Sequence, residues 1–127
     1  MNEYKSRRDK LIEAMPKNSI AVLFGANGNI RNGDTEFPFR QNSDFLYLTG
    51  FDEPNAIAII ESGKNSGFTI FCQEKDPNRE QWEGKRMGPN NFKEIGALNG
   101  FSINSFNEEI DIFLLNKERV YCHKNSN

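Results

Sequence analysis

The stretch "EFPFRQNSDFLYLTGFDEP", Glu36 to Pro54, decides how this chain is read. It sets five polar side chains, Arg40, Gln41, Asn42, Ser43 and Asp44, between two aromatic segments. Phe37, Phe39, Phe45, Tyr47 and Phe51 all fall on odd positions, so an extended chain directs them to one side. Arg40, Asn42 and Asp44 then face the other. On that reading an aromatic side pins the segment to a core while a guanidinium, an amide and a carboxylate are offered outward. The alternative is that Asn42, Ser43 and Asp44 satisfy the amides of a turn, and the residues leave both open.

Outward from this segment the apolar pattern alternates between strands and helices. "SIAVLF" from Ser19 is apolar on both faces, as in a strand covered on both sides. "FLYLT" from Phe45, "AIAII" from Ala56, "FTIFC" from Phe68 and "RVYC" from Arg119 continue the series of strands. Tyr4, Leu11, Ile12 and Met15 recur at helical spacing before Pro16. Asp76 before Pro77, and Gly88 before Pro89, mark two further short helices. Ile110, Phe113 and Leu114 give an amphipathic helix from Asn107. The short connector "GKNSG", Gly63 to Gly67, predicts a hairpin. The expected fold class is therefore α/β, a mixed sheet of about five to six strands flanked by helices.

A chain of 127 residues fits one domain, 1–127. With 16 basic against 18 acidic residues it lacks the basic excess of a nucleic-acid binder. "KSRR", Lys5 to Arg8, reads as the solvated face of the first helix. Cys72 and Cys122 share no zinc or redox spacing and are expected to be buried free thiols. Without an apolar run long enough for a membrane span, the expected setting is soluble and cytoplasmic.

Few residues carry chemistry by themselves. The loop "GANGNIRNGD", Gly25 to Asp34, lacks the glycine spacing and terminal lysine of a phosphate cradle. His123 is the single histidine and reads as a surface or edge residue. Asp34, Glu36 and Asp44 share their loop with Arg31 and Arg40, which favours paired surface charge over acid–base catalysis. Trp82 has only polar neighbours at helical spacing, Asn78, Arg79, Lys85 and Arg86. It therefore either caps the domain edge or serves as an exposed aromatic anchor.

With "RNGDTEFPFRQNSDFLYLTGFDEPNAIAII" and "REQWEGKRMG" in view, the chain resembles the N-terminal domain of aminopeptidase P, the Xaa-Pro aminopeptidases of the creatinase and prolidase group. The resemblance runs from the first helix to about Cys122 and implies a mixed sheet packed against a C-terminal "pita-bread" domain. In that family the second domain holds two divalent metal ions, usually manganese, bound by two Asp, one His and two Glu, and releases the residue preceding proline. None of those ligands matches a position here, so the resemblance implies a truncated piece or a short paralogue, inactive alone. Its implied partners are its own catalytic domain, neighbouring subunits and, in the full-length protein, proline-containing peptides. By the same resemblance Asp34 approaches the catalytic cleft and Trp82 lines the substrate pocket. Arg40 and Gln41 match an Arg-Gln pair with a role in loop structure and interface, and Glu83 departs from the pattern. The alternative reading is an independent peptide- or protein-binding module built on this domain.

Overall fold

The protein is described by a computed structural model covering residues 3–27, 40–64, 66–83 and 85–123, the side chains of Trp82, Glu83 and His123 excepted. Among the described residues five strands form one sheet: β1 (Ser19–Phe24), β2 (Ile57–Glu61), β3 (Gly67–Cys72), β4 (Asn99–Ser102) and β5 (Arg119–His123), in the order β4-β3-β2-β1-β5. β1–β2 and β2–β3 pair antiparallel, whereas β3–β4 and β1–β5 pair parallel. The mixed sheet expected from the hairpin connector is thus present, with Gly63 and Gly67 both at positive φ in the β2–β3 turn.

Helices cover both faces, and the alternation of β1 assigns its side chains to them. Ala21 and Leu23 join Ala58, Ile60, Phe68 and Ile70 beneath α1 (Glu3–Ala14) and α2 (Ser43–Thr49). Ile20 and Val22 join Ile59 and Phe71 against α4 (Phe106–Leu114), which contributes Ile110, Phe113 and Leu114. Phe71 is the hub of this second layer, with ring centroids 5.2 Å from Phe101 and from Phe106 and 6.2 Å from Phe113. A covered aromatic ring removes roughly 150 to 250 Å² from water.

Three expectations are corrected. "FLYLT" is not a strand but most of α2. Asn42 is extended at the N-cap, Asp44 lies in the first turn, and Gly50, at φ 68°, ends the helix with its N–H donating to Leu46 O. The buried side chains are therefore Phe45 and Thr49, one helical turn apart, while Tyr47 is 57% exposed. An acidic first turn at Asp44 and the left-handed Gly50 C-cap overrode the period of two suggested by the odd-numbered aromatics. The missing strand is β4, which carries too few apolar residues to declare itself. A Cβ on Gly100 would strike the Pro89 carbonyl and the Phe92 side chain, so close approach sets this residue.

Arg8, second, is not solvated. It is 3% exposed, donates through Nη1 to Leu48 O at 2.9 Å and lies 4.5 Å from the Phe68 ring. Burial lowers its pKa from the ordinary arginine value. Arg7 stacks on Tyr47 at 4.2 Å and donates to the Tyr47 carbonyl, so the two arginines clamp α2 to α1. Third, only Cys72 is a buried thiol; Cys122 is exposed on edge strand β5. Burial, with Glu53 adding to it, pushes Cys72 up to about 12.

The other elements agree with their sequence signals. Asp76 caps α3 (Pro77–Glu83), its Oδ1 accepting from Asn78 N–H at 3.1 Å. Pro89 opens a 3₁₀ helix, Pro89–Ile95, kinked at Asn91. Among the described residues no helix is long and apolar enough to cross a membrane.

Phe71→Ala should cost about 3 to 5 kcal/mol of unfolding free energy, because it opens a cavity where three other rings meet. Urea unfolding followed by circular dichroism measures it.

Candidate functional site

The polar segment Arg40–Asp44 stands at one end of the sheet. β1 leaves the sheet through Gly25, whose N–H donates to Ala56 O at 2.8 Å, and Asn55 N–H donates back to Ala26 O at 2.9 Å. Into this junction Gln41 inserts its side chain, 7% exposed. Its Oε1 accepts from Ala26 N–H at 2.7 Å and from Asn42 N–H at 3.1 Å. Its Nε2 donates to Phe51 O at 3.1 Å and to Glu53 O at 2.9 Å. A primary amide has two donors and an acceptor with two lone pairs, so every hydrogen-bonding position is used. Asn42 Nδ2 donates to Phe24 O at 2.9 Å, adding a second tie to the end of β1. A Cβ on Gly25 would lie 3.0 Å from Ala56 O and 3.1 Å from Gln41 Oε1, which leaves little space for a larger residue.

Glu53 extends the network away from Gln41. Its Oε2 accepts from Met87 N–H at 2.7 Å, while Oε1 is buried and has no hydrogen-bond partner among the described residues. Burial raises the carboxyl above its ordinary value. The Met87 N–H, Arg86 and Lys75 oppose the rise and Glu80 adds to it. The segment that supplies Met87 is held from its other side as well. Lys75 Nζ donates to Arg86 O at 2.7 Å, Arg86 N–H to Glu80 Oε1 at 3.2 Å, and Arg86 Nη1 to Glu74 O at 3.1 Å. Gly88 follows at φ 80°, a conformation that favours glycine. Hydrogen bonds thus run from the exit of β1 through Gln41 and Glu53 to the turn after α3.

Of the residues singled out from sequence, Arg40 is exposed beside Gln41. Asp34 lies outside the described residues, as do Arg31, Glu36, Phe37 and Phe39. Trp82 belongs to α3, but its side chain, like those of Glu83 and His123, lies outside the description. Gln41 takes the loop-structure role expected of the Arg-Gln pair. Sequence reasoning missed Glu53, whose signal was an acidic residue ahead of Pro54 at the entrance to an apolar strand. Among the described residues no three His, Cys, Asp or Glu converge on a point able to hold a metal ion, so the two-metal centre implied by the resemblance does not fit them.

A second concavity, about 460 Å³, lies between α1, α2 and the β5 edge, lined among others by Leu11, Met15, Leu23, Tyr47, Leu48 and Tyr121. It is mainly apolar.

Fold and network define an α/β domain with a mixed sheet whose polar junction organises one end. The chain belongs to the family described as "Aminopeptidase P, N-terminal domain", whose sequence profile matches residues 4–121. It is 35% identical to Xaa-Pro aminopeptidase 3 of Dictyostelium discoideum over 97% of this chain and 25% of the relative. It is similar to the structure of Pseudomonas aeruginosa aminopeptidase PepP, with 40% identity and a TM-score of 0.88 over 98% of this chain and 29% of that one. The zinc-substituted Escherichia coli aminopeptidase P in complex with product superposes with a TM-score of 0.90 at 31% identity, over 98% of this chain and 29% of that one. The chain therefore spans little more than a quarter of the length of these relatives.

Gln41→Ala removes the partner of four backbone groups and should destabilise the domain by about 2 kcal/mol or more. Gln41→Glu keeps the acceptor but sets a carboxylate against the Phe51 and Glu53 carbonyls, so it should not restore stability at neutral pH; urea midpoints compare the two. For Glu53 the folded pKa lies above the ordinary 4.5, so the native state binds more protons than the unfolded chain between those values. Its contribution to stability then falls as pH rises through that window. Glu53→Gln should flatten this descent in a series of urea titrations begun at pH 4.5.

Proposed function

We propose that this chain acts as the N-terminal domain of a proline-specific metallo-aminopeptidase, a hydrolase that releases the N-terminal residue from Xaa-Pro peptides. The observation that carries the reading is the match of nearly the whole chain to little more than a quarter of Xaa-Pro aminopeptidases. Among the described residues no cluster of His, Cys, Asp or Glu could hold a metal ion. The metal ions, taken to be manganese, belong to a catalytic domain in the rest of the protein.

In this reading the domain is inactive alone and contributes to assembly of subunits and to the substrate cleft. Arg40, Asp34 and Trp82 are the residues proposed to face that cleft or an interface. The apolar concavity beside β5 supports the assembly role, because Val120 and Tyr121 on that edge are 52% and 42% exposed and offer surface to further polypeptide. A cytoplasmic setting accompanies this reading.

The 127-residue chain, supplied with manganese and an Xaa-Pro tripeptide, should show no turnover. The full-length protein should cleave the same peptide and lose activity to a chelator. Chelator-sensitive cleavage by the short chain would overturn its inactivity, and a full-length protein unable to cleave any Xaa-Pro peptide would overturn the peptidase reading.

A further inference from the structure

Glu53 is an expensive way to hold a loop. The side chain is half-buried, and its Oε1 is sealed from water with no hydrogen-bond partner among the described residues. Burial of a half-satisfied carboxylate costs more than burial of a neutral amide able to accept the same N–H. Groups that break such a local rule concentrate where a structure serves function rather than stability.

Its position gives that exception a meaning. The backbone of Glu53 is fixed by Gln41 Nε2, and its side chain fixes Met87 N–H. The residue is therefore the direct link between the polar junction carrying Arg40 and the turn, Lys85 to Gly88, that follows α3. Met87 also packs its side chain on the core beneath α1 and α2, which sets a distance; the short bond to Glu53 adds a direction. The charged and titratable groups around the carboxylate are Arg86, Lys75 and Glu80 from the α3 region and the Cys72 thiol from β3.

We propose that Glu53 is a positioning residue of the peptidase cleft, holding the turn after α3, and with it the helix that carries Trp82, in a fixed relation to Gln41 and Arg40. This rests on the reading of the chain as part of an Xaa-Pro aminopeptidase. Glu53 touches neither substrate nor metal in this role; it acts through the backbone it restrains.

The test uses the full-length protein with Glu53→Ala, Glu53→Gln and Glu53→Asp, read by steady-state cleavage of an Xaa-Pro tripeptide and by amide hydrogen exchange. Glu53→Ala should raise KM about tenfold with a much smaller change in kcat, as expected when a wall of the binding site is misplaced. Exchange at Met87 should accelerate in the same variant. Glu53→Gln, whose neutral oxygen accepts a weaker bond from Met87 N–H than a carboxylate does, should recover only part of the lost KM. Glu53→Asp, one methylene too short to reach, should not recover it, and this variant decides the matter if the alanine protein fails to fold. A lowered melting temperature with unchanged KM in the alanine or aspartate variant would show a purely structural residue and overturn the proposal. Absence of Xaa-Pro cleavage by the unsubstituted protein would instead overturn the reading beneath it.

Discussion

The structure depends on a buried primary amide with nothing left over. Gln41 accepts two N–H bonds and donates two, and all four partners are backbone groups from three separate stretches of chain. Those backbone groups lie past the end of β1, at the N-cap of α2 and between α2 and β2, outside any strand ladder. A glutamine meets the need because its two ends have opposite polarity and its reach exceeds that of asparagine. Removing it would leave unpaired polar groups where the sheet hands over to its loops, and the geometry of both loops would become negotiable.

From that amide the order spreads in two directions. Toward β1, Asn42 and Gly25 complete the junction, one by donating to Phe24 O and the other by leaving room for the glutamine head. Toward α3, Glu53 passes the restraint to Met87, and the Lys75, Glu80 and Arg86 interactions close the turn. The opposite side of α2 is secured differently. Arg7 and Arg8 lay their guanidinium groups against Tyr47 and Phe68 while bonding carbonyls near the end of that helix. Favourable charge at a helix C-terminus reinforces the contact.

Much of this was legible in the sequence. Four of the five strands were readable because their apolar runs are bounded by turn residues, and the Asp76-Pro77 signal located α3. The errors have physical causes. Aromatic residues two apart imitate a strand, yet Asp44 in the first turn and Gly50 after Thr49 are helix punctuation, and they prevailed. β4 was invisible because it is short and its interior position is a glycine chosen for clearance. Arg8 looked solvated because composition cannot show that a cation will find a carbonyl and a ring inside the fold. Of the two readings of the polar segment, the satisfaction of backbone groups is the one seen at Gln41 and Asn42, both of which bond main-chain atoms inside the fold. Glu53 was missed because its one mark in the sequence, an acidic residue ahead of Pro54, is common in exposed loops, and its desolvation is a property of tertiary structure.

The parallel pairing of β1 with β5 brings Ser19 opposite Arg119, joining nearly the two extremes of the described chain. Loop closure over such a span is entropically costly and is repaid only after the intervening elements have condensed. The antiparallel β2–β3 hairpin closes only a short turn and β1 joins it across a connection that includes α2, and these three strands provide the surface to which β5 must add. During synthesis β1 therefore emerges early and waits with one flank open until β5 leaves the ribosome. The domain is most exposed to misassembly in that interval, when its oldest strand is still missing a neighbour.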